Sequence, residues 1–163
     1  ARCLNFWQNS AIKNLSLHVE YNGGITASYP INNAWLAGVD YFMHTKDFKN
    51  TLNLKALYKN IKEKDSNVPM QFTAVWAMND LFGVKGLKFD GFADFWWEDH
   101  LVDFREDGTA DKKSTVFITE PQLWYNVGQH FGVDNLSLGT EIELSNNFGS
   151  SGMRMAVSAN CHE

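Results

Sequence analysis

Leu15-Ser16-Leu17-His18-Val19-Glu20-Tyr21 decides the fold class, because its odd positions are apolar and its even positions polar. A period of two is the period of a β-strand, and it places the two sets on opposite faces of one ribbon. Working outward, the same pattern recurs along the chain. Trp35, Ala37, Val39, Tyr41 and Met43 alternate with Asp40 and His44; Leu52, Leu54, Ala56 and Tyr58 with Asn53, Lys55 and Lys59; Met70, Phe72, Ala74, Trp76 and Met78 with Gln71, Thr73 and Asn79. Further on, Phe89, Gly91, Ala93, Phe95 and Trp97 oppose Lys88, Asp90, Asp94 and Glu98, and Leu123, Tyr125 and Val127 oppose Glu120, Gln122 and Asn126. Leu136, Leu138, Ile142 and Leu144 then oppose Ser137, Glu141, Glu143 and Ser145, and Met153, Met155 and Val157 oppose Arg154, Ser158 and Asn160.

These eight segments, with a shorter one over 2–8, are separated by turn-forming clusters such as Asn22-Gly23-Gly24. The connections are too short for crossover helices, so successive strands pair antiparallel in an up-and-down meander. The expectation is an all-β fold of eight to nine strands in a single domain over residues 1–163. The charged stretch 98–114 reads as an extended surface loop, and Pro121 is tolerable at a bulge or strand start.

Composition removes several function classes. Nineteen acidic residues against fourteen basic give a net charge of -5, and no Lys/Arg-rich run is present to neutralise a phosphate backbone, which argues against nucleic-acid binding. No run approaches the roughly 18 apolar residues of a spanning helix. No G-x-S-x-G, H-E-x-x-H or P-loop occurs, so the Ser16/His18 pair on one face is the sole hint of a hydrolase, and a non-enzymatic role is expected. Cys3 and Cys161 have no metal-ligand spacing. They read as a terminal disulfide or as two free thiols, and neither metal nor cofactor is expected.

Aromatic content of 14% with negative mean hydropathy suits membrane strands, where apolar and polar side chains alternate. Ten residues at about 3.3 Å each and a tilt near 45° rise about 23 Å, close to the apolar band of about 25 Å in outer-membrane barrels. A soluble lipocalin-like calyx holding an apolar ligand would show the same period with its faces reversed. Strand length, the flat outward residues Trp35, Trp76, Trp97 and Tyr125, and the scarcity of charge among them favour lipid on the apolar side. The polar side then lines a wet interior. Candidate pore-lining residues are the acids Asp40, Asp90, Asp94, Glu120, Glu141 and Glu143, the bases Lys55 and Lys59, and the rings Phe42, Phe92, Trp96 and Trp124. Rings flanked by carboxylates can stack a nucleobase or sugar and accept hydrogen bonds from hydroxyls. An excess of inward acids disfavours anions.

Four phrases carry more than the period does: 17–24 (LHVEYNGG), 31–38 (INNAWLAG), 91–97 (GFADFWW) and 138–148 (LGTEIELSNNF). In this order they resemble a family of outer-membrane barrels related to the nucleoside-specific channel-forming protein Tsx, over roughly residues 1–149. The resemblance implies a twelve-stranded barrel in the outer membrane, a small polar solute such as a nucleoside, and the barrel-assembly machinery as a partner. It also implies further strands upstream and a terminal aromatic strand. The ending Ala159-Asn160-Cys161-His162-Glu163 departs from that, so the expectation is a truncated or frame-shifted product in which Cys161 has no role.

Overall fold

The computed structural model describes residues 2–25, 30–62, 66, 68–104, 110–133, 135–146 and 152–161. The side chains of Glu98, Arg154 and Cys161 lie outside what is described, and with them the question of a Cys3–Cys161 disulfide. The strands are β1 (Arg2–Leu4), β2 (Leu15–Ile25), β3 (Pro30–His44), β4 (Asn50–Ile61), β5 (Met70–Asn79), β6 (Leu87–Phe104), β7 (Ala110–Thr119), β8 (Gln122–Tyr125), β9 (Leu136–Asn146) and β10 (Gly152–Cys161). Successive strands pair antiparallel, with β7 and β8 each pairing β6 and β9 rather than one another, in the up-and-down meander that the alternation predicts. Among the described residues no helix is long and apolar enough to cross a membrane.

Segments β7 and β8 occupy one position in the sheet. Both lie between β6 and β9, and the register runs unbroken from one to the other: Thr119 faces Ala93 and Leu144, and Gln122 faces Asp90 and Glu141. Only Glu120 and Pro121 interrupt them, because proline has no N–H to donate to the ladder. Ten segments therefore make nine strands. Pro121 still accepts from the Ile142 N–H at 3.1 Å, and Gly91 on β6 makes the room. Its φ is +152°, and an added Cβ there would sit 2.3 Å from the Glu120 carbonyl oxygen.

The expected loop over 98–114 is corrected. Its outer parts are strand, to Phe104 in β6 and from Ala110 in β7, with the register shifting after Trp97 and again after Leu101. The strand escaped the alternation test because of its sequence at 116–118. Val116 and Ile118 are buried on one face while Phe117 lies on the other, and a strand apolar on both faces reads as a continuous run without a period. Val127, expected to extend the next strand, instead opens a short 3₁₀ turn, Val127–His130, in which the Asn126 side chain accepts from the Gln129 N–H at 3.1 Å.

Two loops at one end of the sheet are tied together. Lys49 Nζ lies 2.7 Å from Asp80 Oδ2, and the Gly86 N–H donates to Asp80 Oδ1 at 2.9 Å. The hydrogen bond from Lys49, and after it that from Gly86, hold the Asp80 carboxyl below its usual 3.8. A depressed folded-state value means the tether is complete above 3.8 and is lost as the pH falls through the lowered value. We expect Lys49→Met to raise the Asp80 titration midpoint toward 3.8 in a carboxyl NMR titration. An unmoved midpoint would show that the tether is absent in solution.

Candidate functional site

Residues directly opposite in an antiparallel ladder share a face, so the register assigns every strand residue to one side. One side carries the continuous row Leu17, Val39, Ala56, Phe72, Phe95 and Phe117 across six strands. Below it run Tyr41, Leu54, Ala74 and Ala93. The other side carries Ser16, Asp40, Lys55, Thr73, Asp94 and Ile118, and next to them His18, Gly38, Leu57, Gln71, Trp96 and Val116.

Burial follows these faces in the sense opposite to that of a soluble core. His18 is 2% exposed and Asp40 3%, and Gln71 and Thr73 are buried with them, whereas Trp35 is 59% exposed and Leu17, Val39, Leu54, Tyr58 and Phe72 are also open. Among the described residues six apolar side chains are buried against 21 large ones exposed. An exposed leucine alone means little, but buried polar residues behind a continuous apolar band do carry information. The polar face is thus the inside of a curled sheet.

All twelve sequence-derived candidates fall on this inner face: Asp40 and Phe42 on β3, Lys55 and Lys59 on β4, Asp90, Phe92, Asp94 and Trp96 on β6, Glu120 and Trp124 around β7 and β8, and Glu141 and Glu143 on β9. They do not form one cluster. Trp96 is 5% exposed, packed with Val116, Ile118 and Phe92, and lies under Lys59, whose Nζ is 3.7 Å from the ring centre. Trp96 is thus packed into the inner face and borders neither of the open clefts lined by Phe42 and Trp124. Asp94 accepts from Thr73 Oγ1 and from Gln71 Nε2, the latter at 3.3 Å. Glu120, by the register on either side of it, comes opposite Glu143, with Glu141 beside Gln122.

Phe42 and Trp124 line open clefts instead. Trp124 borders one of about 380 Å³ with Lys88, Asp90, Gln122, Asn79 and Ser137. Its Nε1–H donates to Gln122 Oε1 at 3.0 Å, and its ring lies on Gly139, where any Cβ would fall 2.3 Å from it. Lys88 pairs with Asp90 at the floor of that cleft. Phe42 borders a second cleft, of about 480 Å³, with Ser16, Asn14, His44 and Phe48.

Sequence spacing missed a third feature. Cys3 Sγ, His18 Nδ1 and Asp40 Oδ2 converge, with Glu20 on the far nitrogen of His18 at 2.9 Å. The shared parity of His18, Glu20 and Asp40 was legible, but their approach depends on the register of three strands. No curated protein and no solved structure matches the chain. A family model described as a domain of unknown function, DUF5020, matches residues 1–159, and the chain belongs to that family.

Proposed function

We propose that the chain forms wall of an outer-membrane β-barrel channel through which small polar solutes diffuse passively, without a cofactor. The observation that carries this reading is the inverted burial: charges inside, a continuous apolar band outside. In lipid that band is solvated by hydrocarbon and the strands' backbone groups are satisfied by one another, as a spanning structure requires. The barrel-assembly machinery and the bilayer are the partners that such a wall needs. Nucleosides enter as candidate solutes through the resemblance to the Tsx-related barrels, and Phe42 and Trp124 are the rings placed to meet them.

Inner-face acids with described side chains are Glu20, Asp40, Asp90, Asp94, Glu120, Glu141 and Glu143, against Lys55, Lys59 and Lys88. This balance favours cations over anions. The test is refolding into detergent, reading heat-modifiable gel mobility, then reversal potentials in planar bilayers. A heat-modifiable band and a cation-selective conductance are expected. A monodisperse fold in plain buffer, the behaviour of a lipocalin-like calyx, overturns the proposal, and a clear anion preference overturns the selectivity.

A further inference from the structure

Cys3, His18 and Asp40 sit on three successive strands of the inner face. Cys3 Sγ is 3.2 Å from His18 Nδ1 and 3.6 Å from Asp40 Oδ2, and His18 Nδ1 is 3.3 Å from Asp40 Oδ2. Tetrahedral zinc, with bonds of about 2.3 Å to sulfur and about 2.0 Å to nitrogen and oxygen, separates such ligand atoms by roughly 3.3–3.6 Å. The triangle therefore has the size of one face of that tetrahedron.

Proton accounting points the same way. His18 Nε2 is 2.9 Å from the Glu20 carboxylate, a separation that needs a hydrogen on the nitrogen. In a neutral ring Nδ1 is then a lone pair. It meets the lone pairs of Asp40 Oδ2 and Cys3 Sγ, with the single thiol hydrogen among the three. A divalent cation replaces that hydrogen and satisfies all of them. The outer partners of a metal site are also in place. A carboxylate fixes the distal nitrogen of the ligand histidine, and Glu20 is itself 3.9 Å from Lys55 Nζ. Asp40 accepts from Asn53 Nδ2 at 3.2 Å, and Asn53 Oδ1 is buried without a partner of its own.

We propose that Cys3, His18 and Asp40 form a binding site for a borderline divalent transition metal of the Zn²⁺ class, whose mixed sulfur, nitrogen and oxygen donors suit such an ion. Cys3 is the exposed member, so the fourth position opens on its side to water or solute. Binding would staple the three-residue β1, held by three register pairs to β2, onto β3 as well.

The competing arrangement is a doubly protonated His18 clamped between Asp40 and Glu20, which holds no metal. Cobalt distinguishes the two. The full chain, folded and reduced, is titrated with Co²⁺, reading the thiolate-to-cobalt charge-transfer band and the visible bands of a tetrahedral ion. We expect saturation at one equivalent, displacement by Zn²⁺, loss of the charge-transfer band in Cys3→Ser and its retention in Cys161→Ser. Glu20→Gln should weaken Zn²⁺ binding by about 10–100-fold while keeping the band at saturating metal. Absence of the band in the folded wild type, its survival in Cys3→Ser or its loss in Cys161→Ser overturns the proposal.

Discussion

If the outer row meets hydrocarbon as proposed, Val39→Arg is expected to remove about 2–4 kcal/mol from folding into lipid vesicles, the penalty of an arginine near the midplane on the lipid face of a barrel. Val39 stands in the outer row between Leu17 and Ala56, with Phe72, Phe95 and Phe117 continuing it across the sheet. A solvated valine on a water-soluble sheet would tolerate the same change within about 0.5 kcal/mol. The control is Phe82→Arg. Phe82 is 91% exposed, more than Val39 at 39%, but it lies in the turn between β5 and β6, beyond the band, so little change is expected there. Denaturant titrations of both variants in vesicles decide the matter. Equal, near-zero effects would mean that the outer face meets water.

The second large effect is Gly91→Ala, for which we expect a loss of about 2–6 kcal/mol. A side chain at a φ of +152° stores about 1–3 kcal/mol of backbone strain. The new Cβ also collides with the Glu120 carbonyl, with Trp76 and with the Cα of Pro121, adding about 1–3 kcal/mol of overpacking that backbone atoms cannot rotate away from. Gly132→Ala isolates the strain. Its φ is also positive, at +73°, but nothing lies within 4 Å, so about 1–2 kcal/mol is expected. Denaturant midpoints for the two variants give the comparison. Equal losses would show that β6 does not press against Glu120 and Pro121.

The inner face was legible residue by residue, because parity alone puts Asp40, Lys55, Asp94, Glu141 and the other candidates on one side. The period of two is a covalent property of extended chain and needs no knowledge of neighbours. What parity cannot carry is register. It gave no warning that Cys3 and Asp40 meet through His18, or that Lys59 closes over Trp96. It also failed at Val116-Phe117-Ile118, where both sides of the strand are apolar and alternation vanishes. Pro121 was legible as a residue to be placed at a bulge or a strand start, since its missing N–H is visible in the sequence itself, and it falls in the break between β7 and β8.

Strand β6 is 18 residues long, which at about 3.3 Å per residue and a tilt near 45° rises about 42 Å, well past an apolar band of about 25 Å. In the proposed channel, the portion beyond Trp97, paired with the start of β7, would thus extend past the wall as a two-stranded stalk. Its strands hold Glu98, Asp99, Asp103 and Asp111 against Lys112 and Lys113, so in the proposed channel this end of the sheet would carry a net acidic surface clear of the lipid.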